Sequence, residues 1–239
     1  VFKTLADRFY LNGFYAGDGI MDFFNTVVTF FQSGGSFMYP IAVVLVIGLA
    51  IAVERWMFLT YAKQSNKRAY NQIMPLLKKK DYASIVKMGQ NGGAPVSRII
   101  AAGVVRMAES PRRDDIELAM EEGVLEAMPR LEKRTNYLAT LANIATLLGL
   151  LGTIIGLIAA FTAVANADPT EKASLLSQSI SVAMNTTAFG LISAIPLLLA
   201  HAVLQTKTTE IVDSLEMAGV KCLNVISGGS VSKTRNVDR

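Results

Sequence analysis

Three threonines stand in chemically unusual places. Thr153 sits inside LLGLLGTIIGLIAAFTAVA, and Thr186 and Thr187 sit inside MNTTAFG, Met184 to Gly190. Neither stretch carries a charge at neutral pH. A hydroxyl there can bond back to its own helix carbonyl, or it can offer an oxygen to an ion that has left water. Around Thr153, small residues fall at Thr146, Gly149, Thr153, Gly156, Ala160, Ala163 and Ala167, spaced 3, 4, 3, 4, 3, 4. That spacing places them on one helix face, and Gly152 with Gly156 adds a GxxxG that lets helices approach closely in lipid. In the other stretch Ala183, Thr187, Gly190 and Ala194 make a matching face, with Thr186 and Ser193 beside it. Packing within one protomer explains much of this pattern; it does not explain two threonines on one stripe.

The surroundings of these residues set their depth. With 239 residues, 51% of them apolar, and a mean hydropathy of +0.38, the chain is too apolar for an ordinary soluble domain. A span takes about 20 mostly apolar residues. Three segments qualify: Phe37 to Val53 running on past Glu54-Arg55, Tyr137 to Ala167, and Ala173 to Thr206, where only His201 is titratable. The outer loop centres near Thr170. Thr153 lies 17 residues before it and Thr187 lies 17 after, so a straight hairpin puts both at one level. Asn143 lies near the inner mouth of the same span and is a candidate lining residue. A carboxylate or other ionisable group usually serves an ion path in a membrane. None stands at this depth, so the path needs a partner to supply one.

Charge orients the chain. Residues 62–135 hold 14 Lys/Arg, including Lys78-Lys79-Lys80, against one, Lys172, between the last two spans and five after Thr206. The positive-inside rule places the large insertion and the tail in the cytoplasm. The pI of about 9.2 follows from this asymmetry; the nine acidic residues of the same insertion argue against a nucleic-acid partner. Lys78 to Lys80 read as a solvated face, with contact to anionic lipid as the lesser alternative, His201 as an interfacial residue, and Glu54-Arg55 as an interface anchor or inter-subunit pair. One cysteine, Cys222, excludes an internal disulfide. One histidine, no metal-ligand spacing and no phosphate-cradling glycine loop argue against an enzyme.

These readings predict an all-α, three-span membrane protein with long helices extending into the cytoplasm. An N-terminal extracytoplasmic segment with an amphipathic helix at Asp22 to Phe31 covers 1–35, and Met21 opens a plausible natural start. Spans follow at 36–61, 137–167 and 173–206. They are separated by a helical insertion at 62–136 and an outer loop at 168–172, and a tail helix covers 207–239. Within the insertion, Pro75 is a possible helix break. Asp81 caps a helix from Tyr82, Asn91 to Pro95 make a turn, and Ser110-Pro111 start a helix that runs to Ala167 with a kink at Pro129.

GLLGTIIGL in the second span, followed by Thr-x-x-Gly in TTAFGLISAIP of the third, resembles the ExbB/TolQ/MotA family of ion-driven energy-converting membrane proteins. The resemblance covers nearly all of Met21 to Ile226, and three spans favour its ExbB/TolQ branch. It implies a homopentamer in the bacterial inner membrane. The pentamer surrounds an ExbD- or TolR-like single-span partner that carries a membrane Asp, and a TonB-like protein takes up the work. Thr153 and Thr187 match the family's pore threonines, with Gly149, Gly152, Gly156, Ala160, Ala183 and Gly190 packing beside them. The resemblance also exposes a departure. Val182 stands where proton-type members commonly carry Glu, and Thr186 where they carry Ala. A Thr-Thr pair adds an oxygen for a hard cation, so the expected coupling ion is Na⁺ rather than H⁺, bound at Thr153, Thr186 and Thr187.

Overall fold

The computed structural model describes residues 25, 28–31, 34–91, 93–165 and 167–234, with side chains described up to 227. Six helices of ten residues or more occur among the described residues: α1 Met38–Lys78, α2 Tyr82–Asn91, α3 Pro95–Glu109, α4 Arg113–Glu132, α5 Thr135–Ala165 and α6 Lys172–Thr234. No strand occurs among the described residues. Helices α1, α5 and α6 contain stretches long and apolar enough to cross a membrane. Residues 25 and 28–31 are helical, and the rest of the expected N-terminal amphipathic helix and Met21 lie outside the described residues.

The chain divides into two compact units. One comprises residues 1–46 and 142–195, the other 47–141 and 196–239. The first inverts the pattern of a soluble core. Ala142, Ala145, Gly149, Gly152, Ala160, Ala183, Gly190 and Ala194 are buried, while Leu147, Ile158, Phe161 and Ile192 face outward. Small residues inside and large apolar ones outside suit helices that pack in lipid, where close backbone approach replaces hydrophobic exclusion.

The second unit has a conventional core. On α1, Arg55, Leu59, Ala62, Asn66, Ala69, Ile73 and Leu77 are buried; on α6, Leu197, Leu204, Thr208, Ile211, Leu215, Ala218 and Cys222 are. Both sets recur mainly every three or four residues, the signature of a helix seam. Contacts between them keep a constant offset. Lys207 reaches Thr60 and Lys63 reaches Glu210, each pair 147 apart, and Cys222 meets Met74, 148 apart. A constant difference means that α1 and α6 run parallel here. Helices α2 to α4 pack in succession beside them, with Gly123 against Ile99 and Gly103 against Met120 at close range.

Local chemistry sets the ends of these helices. Pro75 does not break α1, which runs on to Lys78. The chain then stops with Lys80 at φ 59, Asp81 N–H on Leu76 O at 3.0 Å and Lys80 N–H on Leu77 O at 3.1 Å, a Schellman stop without glycine. Asp81 caps α2 as expected: its carboxylate accepts from Ser84 N–H at 3.2 Å and Ser84 Oγ at 2.7 Å. The serine bonds hold that carboxyl below the usual carboxylate range.

Two expectations about helix boundaries fail. The helix after Ser110 begins at Arg113, because Ser110 closes α3 and turns its hydroxyl onto Asp115. The helix to Ala167 is not continuous. It ends at Glu132 and restarts at Thr135, with Arg134 at φ 67. Pro129 sits one turn upstream of this break. The elbow leaves carbonyls without helical partners, and Arg55 supplies them. Arg55 is 3% exposed, and its guanidinium donates to the carbonyls of Leu131 and, at 3.4 Å, Arg130. Arg134 pairs with Glu54 at 3.6 Å. Glu54-Arg55 thus acts within the chain, as a clamp on the elbow.

Candidate functional site

Within the first unit, α5 and α6 run antiparallel with their backbones nearly touching. A Cβ on Gly190 would lie 2.8 Å from Ala145 O and 3.0 Å from Gly149 Cα; one on Gly156 would lie 2.9 Å from Ala183 Cβ. One on Gly152 would meet Thr186 Cγ2 at 2.4 Å. The small residues singled out in sequence are therefore brought together, Gly149 with Gly190, Gly152 with Thr186 and Gly156 with Ala183. Ala160 is fully buried on the same α5 face.

Each threonine has a distinct partner. Thr187 Oγ1 donates across the helix pair to Gly149 O at 2.9 Å. Thr153 Oγ1 donates to Leu150 O of its own helix at 2.6 Å. Thr186 is 2% exposed, and its Oγ1 lies 2.6 Å from Gly34 O and 3.0 Å from Val182 O. A hydroxyl has one proton and two acceptor lone pairs. Thr153 and Thr187, both half-buried, have turned their protons onto backbone carbonyls, so what they present outward is acceptor oxygen. Thr186 is enclosed between α6 and the Gly34 turn that precedes α1.

Thr153 and Thr187 lie close to one level. The backbone pairs Gly149–Gly190, Gly152–Thr186 and Gly156–Ala183 put Thr187 beside residues 151–152 of α5, within about 3 Å of Thr153 along the helix axis. From there the Thr187 hydroxyl reaches back to the Gly149 carbonyl. Asp168 still organises the turn, its carbonyl accepting from Glu171 N–H at 3.0 Å and Lys172 N–H at 3.2 Å.

Asn143 is exposed on α5. Gly34, the anchor of Thr186, escaped sequence reasoning because a carbonyl partner 152 residues away leaves no local signal. A second omission was legible: Ser174, Gln178 and Ser181 are exposed on α6 and Asn185 half-buried, at spacing 4, 3, 4. This polar stripe is left uncovered by the single chain. Between Ala173 and Thr206, as between Tyr137 and Ala167, there is no carboxylate. Among the described residues no group of three or more His, Cys, Asp or Glu could hold a metal ion.

Residues 92–217 match the sequence profile of the MotA/TolQ/ExbB proton channel family. The chain belongs to that family. The matched segment takes in α5 and the first three-quarters of α6, and therefore both threonine sites. Among curated relatives in the MotA/TolQ/ExbB group, the chain is similar to a putative biopolymer transport protein ExbB homolog of Methanothermobacter thermautotrophicus. The two are 29% identical over 213 residues, covering 84% of this chain and 70% of the relative. It is also 29% identical over 169 residues to a putative ExbB-like protein of Synechocystis, covering 70% of this chain and 80% of that one. A shorter match, 34% over 83 residues, joins 35% of this chain to 36% of the Tol-Pal system protein TolQ of Haemophilus influenzae.

Proposed function

We propose that the chain is the ion-conducting subunit of an ExbB–ExbD-type motor, using an ion gradient across the inner membrane to energise TonB-dependent outer-membrane transport. One observation carries the reading: on two facing helix stretches without a carboxylate, 137–165 and 173–206, Thr153 and Thr187 hold acceptor oxygens with their protons turned inward. Such oxygens accept from a partially dehydrated cation or from a protonated carboxyl. The carboxyl comes from a single-span ExbD- or TolR-like partner. Five copies surround that partner, so that the threonines form a ring and the Ser174–Asn185 stripe lines its wall. The chain performs no catalytic step; the partner's movement, passed to a TonB-like protein, is the output. In this assembly the N-terminus is periplasmic, and the basic insertion and tail are cytoplasmic.

The coupling ion is the open choice within this reading. The Thr186-Thr187 pair supports Na⁺. The enclosure of Thr186 against Gly34 supports H⁺, because its oxygen is then committed to holding the turn before α1. Energised uptake in cells carrying the chain and its partners, with Na⁺ varied at fixed pH and a protonophore present or absent, decides it. Uptake that tracks Na⁺ and survives the protonophore supports sodium; uptake that ignores Na⁺ and collapses with the proton gradient supports protons. A TolQ-like role in envelope maintenance shares the mechanism and is favoured by the TolQ match. Valine at Thr153 and Thr187 that leaves activity intact would reduce the chain to a membrane scaffold.

A further inference from the structure

In the second unit, two recesses of different chemistry meet at Trp56. One is an apolar groove of about 350 Å³ between α1 and α6, lined by Val53, Trp56, Leu199, Val203, Leu204 and their alanine neighbours. The other is a recess of about 520 Å³ on α1 with a mixed lining, Trp56, Met57 and Tyr61 beside Thr60, Gln64, Ser65 and Arg68. Positions 53, 56, 60, 64 and 68 repeat every three or four residues, so one face of α1 carries the whole sequence of chemistries. It is aliphatic first, then aromatic, then hydroxyl and amide, then guanidinium. From Val53 to Arg68 is roughly 22 Å of helix, the depth of one leaflet with its headgroups.

Cations stand where a phosphate would lie. Lys207 Nζ rests 3.7 Å from the centre of the Trp56 ring and donates to Thr60 Oγ1 at 2.7 Å, at the junction of groove and recess. No carboxylate among the described residues pairs with Lys207 or Arg68, whereas nearby Lys63 is taken up by Glu210 at 2.5 Å. The groove continuous with this positive recess selects a molecule that is anionic at one end and aliphatic at the other.

We infer that this face of α1 and α6 is a binding site for one anionic phospholipid, its acyl chain along the Val53–Val203 groove and its phosphate at Lys207, with the headgroup reaching toward Gln64 and Arg68. The inference is independent of the ion-pathway reading, since it uses none of the same residues.

Trp56 is the only tryptophan in the chain, so its fluorescence reports on this site alone. The full chain is reconstituted into phosphatidylcholine vesicles containing a small fixed fraction of dibrominated phosphatidylglycerol, or the same fraction of dibrominated phosphatidylcholine. The brominated anionic lipid is expected to associate at least about fivefold more strongly in quenching Trp56, the preference that a single cation near an anionic lipid confers. Arg68→Gln and Lys207→Gln, singly, reduce that preference, and together they bring it to parity. Lys79→Gln, just past the end of α1 and away from Trp56, retains it. Arg68→Gln leaves the tryptophan's own surroundings intact and guards against a trivial change from losing Lys207. Equal quenching by the two lipids in the unmodified chain overturns the proposal, and so does the absence of quenching by either, which would mean that a second copy or another protein covers this face.

Discussion

The Thr187 hydroxyl donates to the Gly149 carbonyl at 2.9 Å, joining α6 to α5 at the point where their backbones come closest. The bond does two things. It satisfies a polar group in apolar surroundings, and it aims the remaining lone pairs of Thr187 away from Gly149. Replacing Thr187 with Val keeps the shape and removes both properties. Under the proposed function, Thr187→Val should assemble normally yet lose energised uptake at least about tenfold, while Thr187→Ser, which keeps the oxygen, should retain most of it. Size-exclusion profiles of the purified complexes, taken alongside uptake, separate loss of transport from loss of assembly.

Gly190 permits the contact that positions Thr187. Its added Cβ would fall 2.8 Å from Ala145 O and 3.0 Å from Gly149 Cα, both backbone atoms that cannot rotate away. Gly190→Ala should therefore push the helices apart and cost about 1–3 kcal/mol by overpacking. Gly93→Ala, with nothing within 4 Å, is the matched control. A thermal unfolding scan in detergent should show a lower Tm for the first variant alone.

Arg55 holds the elbow between α4 and α5 through the carbonyls of Leu131 and Arg130. Arg55→Gln shortens the side chain and leaves those carbonyls unmet, at a cost of about 2 kcal/mol for a charge-assisted bond. The expected consequence is local. Limited trypsin digestion should cut at Lys133 or Arg134 sooner in the variant than in the parent chain, with the pattern elsewhere unchanged.

Cys222 is fully buried beside Met74, its sulfur 3.8 Å from the thioether, and burial pushes its thiol up to about 11. The unfolded thiol ionises near 9. A raised folded-state value means that the stabilisation is present in full below pH 9. It is lost as pH rises from 9 through about 11, because only the unfolded chain releases the proton over that range. Alkylation by iodoacetamide at pH 8 should be slow in the folded protein and fast after denaturation. Urea midpoints should be flat to pH 9 and then decline, and Cys222→Ala should lessen that decline between pH 9 and 10, above which Tyr70, whose hydroxyl burial also pushes up, contributes as well.

Much of the architecture was written locally. The three apolar stretches, the Asp81 cap and the small-residue faces are composition, capping and period, which operate over a few residues and need no tertiary contact to be read. The Thr153 and Thr187 positions were legible for the same reason. What escaped was everything settled by a distant partner. Asn66 on α1 accepts from Val96 N–H at the start of α3 at 3.3 Å, standing in for a capping side chain that Ala94 lacks. Arg55 turns an expected kink at Pro129 into a break at Lys133-Arg134, because its guanidinium can meet carbonyls that a continuous helix would have kept to itself.

The threonines divide along the same line. Their types and spacing, read from the chain alone, determined that polar oxygens would stand on apolar stretches without carboxylates. Only the packing decided their roles. Backbone contact at Gly149 and Gly190 sets the register to within a residue, since no side chain there can take up a mismatch, and in that register the Thr187 hydroxyl reaches the Gly149 carbonyl while Thr153 bonds within α5. The same register turns Thr186, the immediate neighbour of Thr187, about 100° around α6 and buries its hydroxyl on Gly34, so two adjacent identical residues end in opposite environments.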